Sequence, residues 1–225
     1  MLDSDTLCFD MYGTLCDTTS VSETLSAELD LPAGFVADVD ALWRQTQLRY
    51  AQQVALMDDY VTFRTVTERA LAYALDYYNL DPDRSARERI LASYDHLEPY
   101  PDAVDALGRL GDDRTLAVLS NGNPEMLETL AENAGLAPHL DELVSADEVA
   151  TFKPDPAVYR NAADRLDRDL GDCVLVSSNA WDVAGAASAG MATAWVNRAR
   201  EPAETVGGDA DIAVESLSHL ADSLS

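Results

Sequence analysis

Four short stretches carry the residues able to do chemistry, and each follows an apolar run or a proline-braced loop. In the first, Leu7-Cys8-Phe9 ends abruptly in Asp10, and Gly13-Thr14 supplies a turn whose amides face back toward that carboxylate. A carboxylate at the C-terminal end of a strand in an open α/β sheet lies where ligands bind, which makes Asp10 a candidate nucleophile. Taken alone, such an aspartate is more readily a cap for the next turn. In the second, Leu116-Ala117-Val118-Leu119 ends in Ser120-Asn121-Gly122-Asn123-Pro124, small polar groups that open a helix and suit a carboxylate or phosphate. The third, Thr151 to Pro156, sets Lys153 in a loop braced by prolines directly before a helix. In the fourth, Val174-Leu175-Val176 runs into Ser177-Ser178-Asn179-Ala180-Trp181-Asp182, polar groups followed by an acid at a helix start, which an N-cap alone would also give. An aspartate, a Ser-Asn pair, a lysine and a Ser-Asn-Asp set at the same edge of one sheet together compose a site.

The elements that must hold these stretches are readable from hydrophobic periodicity. After the strand at Leu7 and its loop, about eighty residues show no convincing strand. Instead helical spacing runs over Ser22 to Leu29, Phe35 to Tyr50, Tyr60 to Tyr78 and Ser85 to Leu97, with breaks at Leu31-Pro32 and Asp81-Pro82. Past Pro99-Tyr100-Pro101 the pattern alternates. Helix Ala103 to Leu110, strand Thr115 to Leu119, helix Pro124 to Ala134 and a short strand near Leu143-Val144 come first. Helix Pro156 to Leu166, strand Cys173 to Val176, helix Asp182 to Ala189 and strand Thr193 to Val196 follow. Ile212 to Val214 and Leu217 to Leu224 add one more strand and helix. Such alternation implies a parallel sheet covered on both faces.

The chain has 225 residues and 41 acidic side chains against 15 basic, a formal net charge of -26. That field disfavours nucleic acid and anionic membranes as partners. The acids, among them Asp38, Asp40, Asp58, Asp59, Asp112, Asp113, Asp141 and Glu142, are scattered, as on a solvated folded surface. We read this as adaptation to a salt-rich cell interior, where the Debye length at molar salt is about 3 Å. Of the basic residues only Lys153 is a lysine, so that position stands out. Cys8, Cys16 and Cys173 have no metal-ligand spacing and read as small apolar residues of the core. The histidines His96, His139 and His219 fall outside all four stretches, which supports neither a Ser-His triad nor a histidine metal cluster. No segment has the length and apolarity of a membrane span and no signal-peptide layout opens the chain, so a cytoplasmic protein is expected.

Asp10-Met11-Tyr12-Gly13-Thr14, Ser120-Asn121-Gly122, Lys153-Pro154 and Ser177 to Asp182 resemble, in that order, the four motifs of the haloacid dehalogenase superfamily. The Ser-Ser-Asn-Ala-Trp-Asp stretch is similar to that of the L-2-haloacid dehalogenases within it. Leu42 to Tyr50 resembles the helical segment of that subfamily which brings an arginine over the site, with Arg44 rather than Arg49 matched through its Trp-Arg-Gln context. The resemblance runs from Leu7 to about Arg198. It implies an α/β fold, a Rossmann-like doubly wound parallel sheet core at 1–16 and 98–225 with a helical-bundle cap inserted at 17–97.

The resemblance also implies an activity and roles. The expected reaction is hydrolysis of L-2-haloacids to D-2-hydroxy acids and halide, through an ester on Asp10, with no cofactor or metal. The partner is then a small 2-haloalkanoic acid, and the enzyme a homodimer. Lys153 is expected to keep Asp10 ionised, Thr14 and Ser177 to orient it by hydrogen bonds, and Asp182 with Asn179 and Lys153 to position or activate water. Ser120 is expected to grip the substrate carboxylate, with Arg44 and Asn121 facing the departing halide. Tyr12, Leu48, Phe63 and Trp181 would form an apolar wall, and Tyr159 would hydrogen-bond within the site. Phosphatases of the superfamily carry a second aspartate where this chain has Tyr12, and a phenol of ordinary pKa about 10 is a poor leaving-group acid. A magnesium-dependent phosphatase is therefore the alternative enzyme, and a non-catalytic carboxylate-binding protein the alternative of another class.

Overall fold

The first strand, β1 (Thr6–Phe9), is buried over its whole length, as its unbroken Thr-Leu-Cys-Phe run requires of a strand covered on both faces. In a computed structural model, residues 4–224 are described, so the outermost ends of the expected core segments, 1–3 and 225, lie outside the described residues. Chain order continues with β2 (Cys16–Asp17), α1 (Val21–Leu29), α2 (Ala33–Leu56), α3 (Phe63–Tyr77), α4 (Arg84–Ala92), β3 (Glu98–Pro99) and α5 (Ala103–Leu110). It ends with β4 (Thr115–Ser120), α6 (Pro124–Asn133), β5 (Glu142–Ser145), α7 (Pro156–Arg165), β6 (Cys173–Ser177), α8 (Ala180–Ala189), β7 (Ala192–Val196), β8 (Ile212–Val214) and α9 (Leu217–Leu224).

Six strands form one parallel sheet in the order β5-β4-β1-β6-β7-β8. The first strand thus sits in the middle, with β4 on one side and β6 on the other, and the direction of winding reverses there. Ligands in such sheets bind at the carboxyl edge of that switch point. Register places Phe9 beside both Val118 and Val176, so the residues that follow all three strands emerge at one edge. Side chains alternate between two apolar clusters: Leu7, Phe9, Val118 and Val176 point to one face, and Cys8, Ala117, Leu119 and Leu175 to the other. All three cysteines are free and buried, as expected.

Helices α1 to α4 lie between the loop after β1 and the return to the sheet, with α2 packed on α3 and α1 on both α2 and α4. Their boundaries differ from the periodic expectation for local reasons. Helix α2 runs past Tyr50 to Leu56, because Ala51 and Val54 prolong its buried stripe. Helix α3 begins at Phe63 rather than near Tyr60, where the Thr62 side chain accepts from the Thr65 amide as an N-cap. The run expected to reach Leu97 stops at Ala92 and tightens into a 3-10 turn, Ser93–His96. A strand was also not expected in this region, yet Cys16–Asp17 pairs antiparallel with Glu98–Pro99. Two residues per strand are too few to show a period. Among the described residues no helix is long and apolar enough to cross a membrane.

Candidate active site

Asp10 continues directly from β1, its amide donating to Val176 O at 2.9 Å. The chain then folds back sharply: the Met11 carbonyl accepts from the Leu15 and Cys16 amides at 3.1 and 3.0 Å. Gly13 has φ 85° in this turn, a conformation that disfavours any side chain. The turn delivers Thr14, whose Oγ1 donates to Asp10 Oδ2 at 3.1 Å and accepts from the Ser178 amide at 2.9 Å. Asn179 Nδ2, at the start of α8, donates to the same Oδ2 at 2.8 Å and to Tyr12 O at 3.2 Å. Asp10 is only 6% exposed.

Lys153 is the buried cation of the site. Its amide donates to Asn121 Oδ1 at 2.8 Å, which ties the loop before α7 to the end of β4. Its Nζ donates to Asp182 Oδ2 at 2.8 Å and to Asp10 Oδ1 at 3.3 Å. Tyr159 Oη, one turn into α7, donates to Asp182 Oδ1 at 2.8 Å. Burial pushes the Asp10 carboxyl above the ordinary carboxylate range, while the Lys153 ammonium pulls it back and the Asp182 charge adds to the rise. Burial alone would lower the Lys153 ammonium, but the Asp10 and Asp182 carboxylates lift it above its usual value. Burial, with the Asp182 charge next, raises the Tyr159 phenol far beyond ordinary tyrosine. The site thus holds a charged lysine between two carboxylates and a phenol that keeps its proton.

Above Asp10 lies a cavity of about 290 Å³. Its floor and one side come from the sheet edge: Asp10, Tyr12, Gly13, Ser120, Asn121, Asn179 and Trp181. The roof comes from the helical insert, with Arg44, Leu48 and Phe63 all facing in. Arg49 does not join them; its guanidinium lies over the Tyr50 and Tyr73 rings, 5.3 and 5.1 Å from their centroids. Tyr12 packs against Phe63 and Tyr94, and burial raises its phenol well above normal, so it keeps its proton. A charge on Asp10, almost wholly buried at the floor of this chamber, is felt more strongly than it would be in bulk solvent.

The expected residues therefore converge, in two layers. Asp10, Tyr12, Arg44, Leu48, Phe63, Ser120, Asn121, Asn179 and Trp181 border the cavity. Thr14, Lys153, Ser177, Tyr159 and Asp182 are buried beneath it. Two assignments change in consequence. Ser177 reaches the nucleophile indirectly, its Oγ accepting from the Asn179 amide at 3.1 Å. Asp182 is 0% exposed, with one oxygen bound by Lys153 and the other by Tyr159, so it does not border the cavity and its contact with the site runs through those side chains.

Sequence reasoning missed four contributors. Thr18, Gln45, Gln47 and Tyr94 also line the cavity. Gln47 Nε2 donates to Thr67 Oγ1 at 2.6 Å and Tyr94 Oη donates to Gln47 Oε1 at 3.4 Å, which fastens three elements of the roof. Asp40, expected on the solvated surface, is instead 2% exposed and holds Arg44 Nη2 at 2.6 Å. Its position four residues before Arg44 was the available signal.

Residues 4–190 match the family model described as haloacid dehalogenase-like hydrolase. The chain is 40% identical over 197 residues to (S)-2-haloacid dehalogenase 1 of Pseudomonas sp. (strain CBS-3), covering 87% of this chain and 86% of the relative. It is 38% identical over 222 residues to (S)-2-haloacid dehalogenase 4A of Burkholderia cepacia, covering 98% and 95%. Among solved structures, L-2-haloacid dehalogenase from Xanthobacter autotrophicus with chloropropionic acid covalently bound superposes with a TM-score of 0.90 at 34% identity over 97% of each chain.

Proposed function

Because the chain belongs to the haloacid dehalogenase-like hydrolases and is an enzyme acting on the carbon-halide bond of haloacids, we propose that it does so through an ester on Asp10. The observation that carries this reading is the Asp10 carboxylate itself. Oδ2 takes two donors, Thr14 and Asn179, whereas Oδ1 takes only the longer bond from Lys153, and Asp10 itself borders the cavity. Oδ1 attacks C2 of an L-2-haloacid from the side opposite the halogen. An Oδ1–C2 bond forms as the halide leaves with the bonding pair, which inverts the centre.

In the second step water attacks Cγ of the ester and the Cγ–Oδ1 bond breaks, releasing a D-2-hydroxy acid. Lys153 passes a proton to Asp182 as it takes one from the water; as the Cγ–Oδ1 bond breaks, the same relay in reverse returns that proton to the departing alkoxide oxygen, and the regenerated Asp10 carboxyl gives up its own proton to solvent. Asn179 holds the ester group through its amide, and Tyr159 keeps Asp182 in place. Ser120 and the following amides take the substrate carboxylate, while Arg44 and Asn121 take the halide. Residues 17–97 serve as the cap that excludes water during the first step.

No metal enters this scheme. Asn179 Nδ2 bridges Asp10 Oδ2 and Tyr12 O, occupying with N–H groups the two oxygens that a phosphatase of the superfamily would offer to magnesium. The covalently bound chloropropionic acid of the Xanthobacter relative supports an ester intermediate in this chain too. The experiment is halide release from each enantiomer of 2-chloropropionate, in a non-halide potassium salt with EDTA. Turnover of the L form alone to D-lactate, abolished by Asp10→Asn, is expected. Magnesium-dependent hydrolysis of phosphate monoesters, with no halide release, would replace this reading by the phosphatase.

A further inference from the structure

Arg44 is a permanent cation in a cavity that must hold two anionic centres, the substrate carboxylate and the nucleophile. Left free, its guanidinium would seek whichever carboxylate lay nearer, since bidentate carboxylate pairing is its strongest contact. It is not free. Nη2 lies 2.6 Å from Asp40 Oδ2, one turn back on α2, and Nη1 lies 2.8 Å from Thr18 Oγ1. Asp40 belongs to the buried stripe of α2 with Val36, Val39 and Trp43, where an unpaired carboxylate would be costly. Thr18 stands just after β2, on the crossing from the sheet into the helical insert, and borders the same cavity. Two acceptors on different elements therefore fix the plane of one guanidinium.

We propose that Asp40 and Thr18 are positioning residues that hold Arg44 to the halogen side of the cavity, so that the substrate carboxylate is left to the Ser120 edge. The inference rests on the dehalogenation proposed above. Only one way round puts the carbon-halogen bond in line with Asp10, and an arginine that captured the carboxylate would store the substrate with its halogen turned away. The tie to Asp40 also offsets part of the arginine's charge, which weakens its hold on the departing halide enough for release.

The test is steady-state kinetics with L-2-chloropropionate, together with product inhibition by bromide, for Asp40→Asn and Thr18→Val. Once Asp40 is neutral, Arg44 binds the substrate carboxylate. The kcat is then expected to fall about tenfold or more with KM falling alongside it, the pattern of nonproductive binding, and the bromide inhibition constant to shift by several fold. Thr18→Val is expected to move the same quantities in the same direction by a smaller factor, and it carries the test if Asp40→Asn does not fold. A purely structural role would lower kcat through lost folded enzyme while leaving KM and the bromide constant unchanged, and that result overturns the proposal. Halide release absent from the wild type would overturn the parent reading, whereas wild-type release with unmoved variant constants overturns only the positioning.

Discussion

Lys153 Nζ stands closer to Asp182, at 2.8 Å, than to Asp10, at 3.3 Å. The supporting carboxylate, not the nucleophile, takes the shorter bond from the buried ammonium. In the proposed mechanism this anchors the lysine where it stabilises an anion on Asp10 without holding Oδ1 as tightly as it holds Asp182. Removing the ammonium leaves two carboxylates facing each other in an apolar setting. Lys153→Met is expected to destabilise the protein by about 3–5 kcal/mol in urea unfolding. Adding Asp10→Asn to that variant should recover part of the loss. Additive effects of the two changes would contradict the pairing.

In the proposed mechanism Asp10 must be ionised to attack. Its carboxyl is raised by burial first, with Lys153 opposing, so the rate of ester formation falls as pH drops through a value above the ordinary carboxylate range. The same shift reverses the usual carboxylate contribution to stability. A raised native value favours folding at low pH and that contribution is lost as pH rises through it. Single-turnover formation of the mass-shifted protein across pH 4 to 8 reads the first effect, and an acid limb at the ordinary carboxylate value would refute it.

Tyr159 Oη donates to Asp182 Oδ1 at 2.8 Å inside the protein, where no water replaces it. Tyr159→Phe strips Asp182 of that donor and is expected to slow hydrolysis of the ester more than its formation, by about tenfold for about 1.4 kcal/mol. Accumulation of ester-bearing protein in rapid-quench mass spectra checks this. Equal slowing of both steps would mean that Asp182 serves only the nucleophile.

Gly185 on α8 has no room for a side chain. A Cβ there would collide with Pro154 Cβ and lie 2.7 Å from Tyr159 Oη. Gly185→Ala must push α8 from the loop that carries Lys153, at a cost of about 1–3 kcal/mol. Both the urea midpoint and kcat are expected to drop, and a variant with native values for both would show that α8 and the lysine loop move apart freely.

A formal net charge of -26 makes the folded chain repel itself when salt is low. Raising potassium chloride from about 0.1 M to about 1 M cuts the Debye length from about 10 Å to about 3 Å, so Tm should climb by several degrees. A flat Tm over that range would place the balance of stability elsewhere.

The four stretches were legible because each pairs an apolar strand or a proline-braced loop with polar residues, a local pattern that one chain displays without its partners. The amphipathic helices α1 to α4 were legible for the same reason. Asp40 was not, because an acid counted among many others shows nothing of its burial until α2 is packed. Gln47 and Tyr94 reach the cavity only through the packing of α2 and of the turn after α4, and neither residue type by itself signals a site. The division of labour at Asp10 was likewise hidden: whether Ser177 or Asn179 touches the carboxylate depends on a turn of one residue after β6.

The ribbon of β2 and β3 joins Cys16 to Pro99 and Asp17 to Glu98, so the chain leaves the sheet and comes back to it at adjacent points. For the folding search this shortens a long detour. With α1 packed on α4 as well, the insert closes on itself, and the loop between β1 and β4 is effectively far shorter than the sequence distance between them. The helical roof is thereby tethered at a single narrow neck to the very sheet whose edge it covers.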